Sequence, residues 1–355
     1  MSAPSSLVAL AGAELHGVLP DGQVVRVFTL DNGRGLRARC SEYGASLLSL
    51  ETPDRHRRVA NITLGCDNFD EWLRQPGYLG RTAGRFANRI AGGEFTLDGQ
   101  THRLHVNEAP AGQACHLHGG LRGFDQRLWR GEEIGAPGQA VRFSRISPDG
   151  EEGYPGRLNI EVTYRLSDEQ LIITFEAISD RATVVNLCHH SYWNLSGDPQ
   201  SDILDHELTL HADRYLPVSP GLIPSGELRP VRGTPMDFTL ARRIGERIGV
   251  DNEDLLHGAG YDHCWVINGP GGTLRPAADL YDSKSGRGMR VFTDQASLQF
   301  YSGNRLGGAF HPRQGLCLES QCFPDAPNQP ALGADPVLRP GQVYRHTVIH
   351  QFYCR

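Results

Sequence analysis

The stretch "RLNIEVTYRLSDEQLIITFEAIS" (157–179) alternates apolar and polar residues, breaks at a polar turn, and alternates again. Leu158, Ile160, Val162, Tyr164 and Leu166 fall two apart, and so do Leu171, Ile173, Phe175 and Ala177. A period of two is that of a β-strand with one buried face, so the segment predicts a hairpin. The same pattern recurs on either side. "GEFTLDGQTHRLHV" (93–106) holds two short runs around Asp98-Gly99, a pair suited to a type I′ turn. "MRVFTDQASLQFYSGN" (289–304) and "GLCLESQCF" (315–323) add further strands. Helical patterns are few: "FDEWLRQ" (69–75) and "DFTLARRIGERIG" (237–249) could each form two or three turns.

The chain has 355 residues, 39% hydrophobic and 21% charged, with 42 glycines and 22 prolines. So many turn formers beside so few helical periods predict many short strands. No linker, low-complexity tract or repeat of roughly 20–50 residues interrupts them. The expectation is all-β: one large twisted antiparallel β-sandwich over 16–355, behind a loose tail at 1–15. Loops such as "SPDGEEGYPG" (147–156) would carry the rim of a site.

A net charge of −6 with no basic cluster argues against a nucleic-acid partner. No apolar run reaches the roughly 18–20 residues of a membrane span. The N-terminus "MSAPSSLVALAGAELHG" lacks the basic n-region of a secretory signal, so a cytoplasmic protein is expected. The eight cysteines are scattered without a CxxC spacing and read as small, reduced, buried residues.

The chemistry centres on "VVNLCHHSYWNL" (184–195). On a strand, Val185, Leu187, His189, Ser191 and Trp193 share one face, largely apolar. Asn186, Cys188, His190, Tyr192 and Asn194 share the other, which resembles a cleft wall. His190 is therefore the candidate reactive histidine and His189 the structural one. In "GLCLESQCF", Glu319 stands with Cys317, Gln321 and Phe323, opposite Leu316 and Leu318. A carboxylate in an apolar run needs a partner or a task, either an arginine ion pair or proton transfer. "SLQFYSGN" puts Gln299 and Tyr301 on one face. "CHLHGG" (115–120) puts His116 and His118 on one face, beside glycines that admit a ligand. "GRFANRIAGG" (84–93) offers Arg85 and Arg89, whose planar forks suit vicinal hydroxyls or a carboxylate but also brace turns.

Two chemistries fit this set. Cys115, His116, His118, Cys188, His189, His190 and Glu319 could supply zinc ligands, although alternation separates His189 from His190. Alternatively, a Glu/His pair moves protons on a polyhydroxylated ligand held by amides, guanidinium and aromatic rings.

Taken together, "GRFANRIAGGEFTLDG", "HLHGGLRGFDQRLW", "SPDGEEGYPG", "NLCHHSYWNLSG", "GYDHCWVI", "QFYSGN" and "GLCLESQCFPDAPNQP" resemble the aldose 1-epimerase (galactose mutarotase) family, in order, from about residue 20 to the C-terminus. The resemblance implies the galactose mutarotase-like supersandwich and interconversion of the α- and β-anomers of free aldohexoses such as galactose and glucose. It implies Glu319 as general base and His190 as general acid. Arg89, His118, Asp262 and Gln299 would grip the sugar, with Asn88 and Tyr192 as further contacts. It selects His118 over His116, which alternation could not do. The chain departs from the family pattern at Trp193, where phenylalanine is usual, and at Cys188-His189, in place of a small polar pair. The implied reaction needs no cofactor and no metal. Its partner is a small sugar, and the protein is expected as a monomer or homodimer.

In that reaction ionised Glu319 takes the C1 hydroxyl proton while protonated His190 serves the ring oxygen. His190 is therefore expected to stay protonated near neutrality beside Glu319. Rival readings are a hexose-phosphate epimerase, although the motif segments offer only Arg85, Arg89 and Arg305 where a phosphate would call for extra basic groups, a sugar-binding module without turnover, and a glycoside hydrolase with Asp262 as second carboxylate.

Overall fold

The computed structural model describes residues 13–66, 68–75 and 77–355. The hairpin read from the sequence is present as strands Leu158–Ser167 and Gln170–Ser179. Leu166 faces Leu171, Tyr164 faces Ile173, and Val162 faces Phe175 across it. These side chains are buried, while Asn159 is exposed and Glu161, Thr163 and Arg165 are half-buried. Cross-strand pairs of this kind fix the register, because a slip by one residue would turn the whole apolar set outward.

The hairpin forms the middle of a nine-stranded sheet. Its order is Arg130–Ile134, Ala140–Ser147, Leu158–Ser167, Gln170–Ser179, Tyr344–Cys354, Arg287–Thr293, Arg275–Tyr281, Glu207–Leu210 and Arg242–Arg243. A five-stranded sheet carries Arg229–Pro230, Arg214–Leu216, Asp262–Val266, Ser297–Tyr301 and Cys317–Gln321. A second five-stranded sheet is built from strands between Ala13 and Asn61. The pairings in these sheets are antiparallel. One continuous apolar core joins the three: Leu30 and Leu50 from the N-terminal sheet, Val162 and Phe175 from the large one, and Trp265, Phe300 and Leu318 from the third. This is the expected all-β sandwich.

Three expectations need correction. The helix over 69–75 is short, Phe69–Arg74, capped by Asn68 accepting from the Glu71 N–H at 2.9 Å. The segment 237–249 is not an α-helix. Arg242–Arg243 pairs with Glu207–Leu210 and becomes the last strand of the large sheet, and Ile244–Glu246 makes one 3₁₀ turn. Phe238, Ile244 and Ile248 are all buried in the main core, but they reach it from an extended segment and a single 3₁₀ turn, because the Glu207–Leu210 strand offers backbone partners to Arg242 and Arg243. A helix the sequence reading passed over, Glu253–Gly258, is capped by Asn252. The tail boundary also moves: Ala13–Val18 is a strand, so Ala13, Glu14 and Leu15 belong to a sheet, whereas residues 1–12 lie outside the described residues. Cys40, Cys115, Cys188, Cys264, Cys317, Cys322 and Cys354 are free thiols.

Candidate active site

A pocket of about 200 Å³ opens where the Asp262–Val266, Ser297–Tyr301 and Cys317–Gln321 strands meet three short ones, Arg81–Ala83, Arg89–Ala91 and Cys188–His190. Antiparallel pairing sets Gln299 beside Glu319 and Asp262 beside Tyr301. The Cys188–His190 strand pairs with Arg81–Ala83 and packs on Cys317–Gln321. Alternation then sorts the side chains. Leu187 and Trp193 enter the core. His189 follows them, with Nε2 2.6 Å from Ser191 Oγ and Nδ1 3.3 Å from the Tyr164 hydroxyl. Cys188 and His190 turn the other way.

The pocket wall includes Glu319, His190, Arg89, His118, Asp262, Gln299, Asn88 and Tyr192. These are all the residues that the resemblance implied. His190 Nε2 lies 3.6 Å from Glu319 Oε1, and both side chains are almost fully buried, at 5% and 3% exposure. The partner of this carboxylate is thus a histidine and not an arginine. Arg89 uses Nε and a terminal nitrogen, each at 2.9 Å, to hold Glu108. Gln299 donates Nε2–H to Asp262 Oδ1 at 2.7 Å, and its own buried Oε1 has no partner among the described residues. A buried amide oxygen left unpaired is costly unless a ligand hydroxyl completes it.

His118 is placed by strained backbone. The strand Cys115–Leu117 ends there, and His118 and Gly119 adopt φ of +49° and +96°. A Cβ on Gly119 would fall 1.8 Å from the Gly84 carbonyl oxygen, so only glycine fits. The left-handed step parts His118 from His116, although the sequence put both on one face. His116 bonds the His105 carbonyl at 2.7 Å and the Tyr154 hydroxyl at 2.6 Å, away from the pocket. Asn88, at φ +64°, donates its backbone N–H to His118 Nδ1 at 3.1 Å and accepts from the Arg89 N–H through its side chain at 2.9 Å.

Arg85 is also resolved. It does not line the pocket, and it is not solvated: it is 1% exposed and donates to the Pro155 and Gly156 carbonyls at 2.9 and 3.0 Å, bracing the 147–156 loop. The sequence reading missed Tyr78, whose ring lies tilted 4.6 Å from that of His118 and 5.5 Å from that of His190, and Glu108, the partner of Arg89. Both come from loops without periodicity, so no pattern marked them.

Burial governs the electrostatics. Loss of water pushes Glu319 up to about 8, with the nearby Asp262 charge adding to the rise. Loss of water likewise pushes His190 down to about 4. This differs from the expectation of a protonated His190 near neutrality: burial disfavours the charged form of both groups, so Glu319 is not held as the anion that would favour an imidazolium. Between those limits the pair holds one proton, and burial favours the uncharged arrangement, GluH/His. The arrangement Glu⁻/HisH⁺ differs from it only by transfer of that proton. His118 is held well below its usual range by burial, with His190 and Arg89 adding to the effect. It is neutral, and because Nδ1 accepts a backbone N–H, its proton sits on Nε2.

His118, His190 and Glu319 could also be viewed as metal ligands, since one ligand atom from each lies within 4.8 Å of the others. The tautomer opposes this. Nδ1 of His118 is occupied by the Asn88 N–H and Nε2 carries the proton, so neither nitrogen offers a free lone pair.

A buried Glu–His pair walled by hydroxyl-binding groups is what proton transfer on a sugar requires, and comparison with known proteins agrees. The model of the aldose 1-epimerase family matches residues 26–351. The chain belongs to the aldose 1-epimerase family. It is 41% identical to human galactose mutarotase over 348 residues, 95% of this chain and 97% of that protein. It is 38% identical to the aldose 1-epimerase of Escherichia coli K12, covering 96% and 98% of the two chains. Among solved structures, the aldose epimerase homologue from C. elegans superposes with a TM-score of 0.83 at 29% identity over 92% of this chain and 98% of that one. Galactose 1-epimerase from Lactobacillus acidophilus gives 0.81 at 28% identity, over 96% and 98%. As a family member the chain is an isomerase with mutarotase function.

Proposed function

We propose that this pocket interconverts the α- and β-anomers of free aldohexoses such as galactose and glucose, with Glu319 and His190 as the proton-transfer pair. The observation that carries the reading is the 3.6 Å approach of His190 Nε2 to Glu319 Oε1 at the wall of a pocket of about 200 Å³. That volume is below the roughly 300–1,000 Å³ of drug-sized sites and suits one monosaccharide ring.

The reacting state is Glu⁻/HisH⁺. Glu319 takes the proton of the C1 hydroxyl, His190 delivers its proton to the ring oxygen, and the C1–O5 bond breaks. The open aldehyde turns about C1–C2 and presents its other face. The pair is now GluH/His. Glu319 returns its proton to the C1 oxygen as the C5 hydroxyl attacks and His190 takes the hydroxyl proton. The site regains its starting state without a net proton. Arg89, His118 and Gln299 Oε1 would bind ring hydroxyls, and Asp262, fixed by Gln299, would accept from another. Tyr192 packs 5.2 Å from the His190 ring and shields it from water.

A cytoplasmic, monomeric or homodimeric protein completes the proposal. Free thiols at Cys40, Cys115, Cys188, Cys264, Cys317, Cys322 and Cys354 fit a reducing compartment, and no helix among the described residues is long and apolar enough to cross a membrane. The test is polarimetry or NMR on freshly dissolved α-anomers of several aldoses, with methyl galactoside as control. Accelerated mutarotation of galactose or glucose, with the glycoside untouched, is expected. Release of methanol, or no acceleration for any aldose, overturns the reading.

A further inference from the structure

Two residues of the Cys188–His190 strand and two of the Cys317–Gln321 strand face one another as a square. Cys188 Sγ is 3.3 Å from Glu319 Oε2, and Cys317 Sγ is 3.5 Å from His190 Nδ1. The remaining oxygen of Glu319, Oε1, faces His190. Each member of the reacting pair therefore has a thiol at its rear and its partner at its front.

We infer that Cys188 is a positioning residue of the reaction, whose S–H donates to Glu319 Oε2 and fixes the carboxylate with Oε1 toward the substrate. The inference rests on the Glu319–His190 reading above.

The surroundings of Glu319 leave this part to Cys188. From the Cys188–His190 strand come His190 and Cys188. His190 stands at 3.6 Å, beyond a normal hydrogen bond. From the Asp262–Val266 strand, the Asp262 charge opposes ionisation of Glu319, and the Cys264 thiol is pushed up mainly by burial, with Cys322 and Glu319 adding to the rise. Arg89, from Arg89–Ala91, favours ionisation but spends its guanidinium on Glu108. Cys317 on the same strand bonds His190. Tyr192 beside His190 and His118 after Cys115–Leu117 also feel or adjoin the site. Among the described residues, the Cys188 thiol is the hydrogen-bond donor to Glu319.

The thiol cannot act as a nucleophile or redox group here. It is fully buried and held well above its usual range by burial and by Glu319, so it stays S–H and remains a donor. A thiol is a weak donor. It orients the carboxylate yet leaves it close to the protonated state that the one-proton pair needs. A hydroxyl in its place would stabilise the carboxylate more strongly.

The test is the pH profile of kcat/KM for wild type, Cys188→Ala and Cys188→Ser. Cys188 packs against Ala83 and Ala87, so the smaller side chains can be accommodated. Alanine removes the donor and should move the basic limb upward by about half to one pH unit, with kcat lowered about three- to tenfold and KM little changed. Serine should move the limb the opposite way. Infrared titration of the protonated Glu319 carbonyl stretch in the sugar-free protein should shift in parallel, a readout a merely structural role would not move. Limbs that coincide in all three proteins, or that move the same way in both variants, overturn the inference. Glu319→Gln separates the two levels: if it is inactive while the Cys188 variants keep the wild-type limb, only the part assigned to Cys188 falls. If it retains wild-type turnover, the Glu319 assignment falls first.

Discussion

The backbone N–H of Asn88 donates to Nδ1 of His118 at 3.1 Å, and this contact sets what His118 can do. With Nδ1 filled and the ring kept neutral by burial, Nε2–H is a fixed donor aimed into the pocket. His118→Gln places an amide N–H near the former Nε2 and should retain more activity than His118→Asn, whose shorter amide reaches the former Nδ1. Loss of one such hydrogen bond should raise KM about three- to tenfold. The same tautomer predicts that dialysis against a chelator leaves mutarotation unchanged. Activity that vanished and returned with zinc would show the ring to be a ligand instead.

The pH profile follows from the pair's single proton. As pH rises through about 8, Glu319 loses that proton and no acid remains. As pH falls through about 4, His190 gains a second one and no base remains. Expected is a broad plateau in kcat/KM across roughly pH 5–7, with limbs that belong to the pair jointly. A profile rising through pH 6.5 would mean that an unperturbed histidine controls the rate.

Glu319 should cost stability. Its carboxyl sits near 4.5 in an unfolded chain and is pushed up to about 8 in the fold. The fold therefore keeps a proton that the unfolded chain releases. The associated stability is complete below pH 4.5 and is lost as pH rises through 8, at about 1.4 kcal/mol per unit. Glu319→Gln mimics the protonated form. It should be more stable than wild type at pH 7–8 by a few kcal/mol, equal to it below pH 4.5, and slower by roughly 10²–10⁴. Urea unfolding at several pH values and a rate assay check both halves.

The adjacent histidines should fail differently. His190→Asn cannot shuttle a proton and should lose on the order of 10²–10⁴ in kcat with Tm little changed. His189→Asn disturbs a packed site bonded to Ser191 and Tyr164, at a cost of roughly 0.5–3 kcal/mol, with kcat near wild type. A stable but inactive His189→Asn would contradict the strand register.

Much of this was legible in the chain itself. Alternation over 157–179 fixed the hairpin and its buried face, and alternation over 184–195 placed His190 in the pocket and His189 in the core. Both inferences need only the pleat of one strand, which is local. The family resemblance supplied Arg89, His118, Asp262, Gln299, Asn88 and Tyr192, and all of them line one pocket. The stretch 237–249 failed because its fate was decided by the free edge of Glu207–Leu210, which lies some 30 residues away. His116 and His118 parted because a left-handed residue ends the alternation between them. Tyr78, Glu108 and the thiol behind Glu319 come from separate segments that only folding brings together. The charge state of the pair belongs to the tertiary structure as well. A carboxylate and an imidazole are fixed by the sequence, but their protons depend on how completely every neighbouring element excludes water from them, and that is a sum over the whole fold.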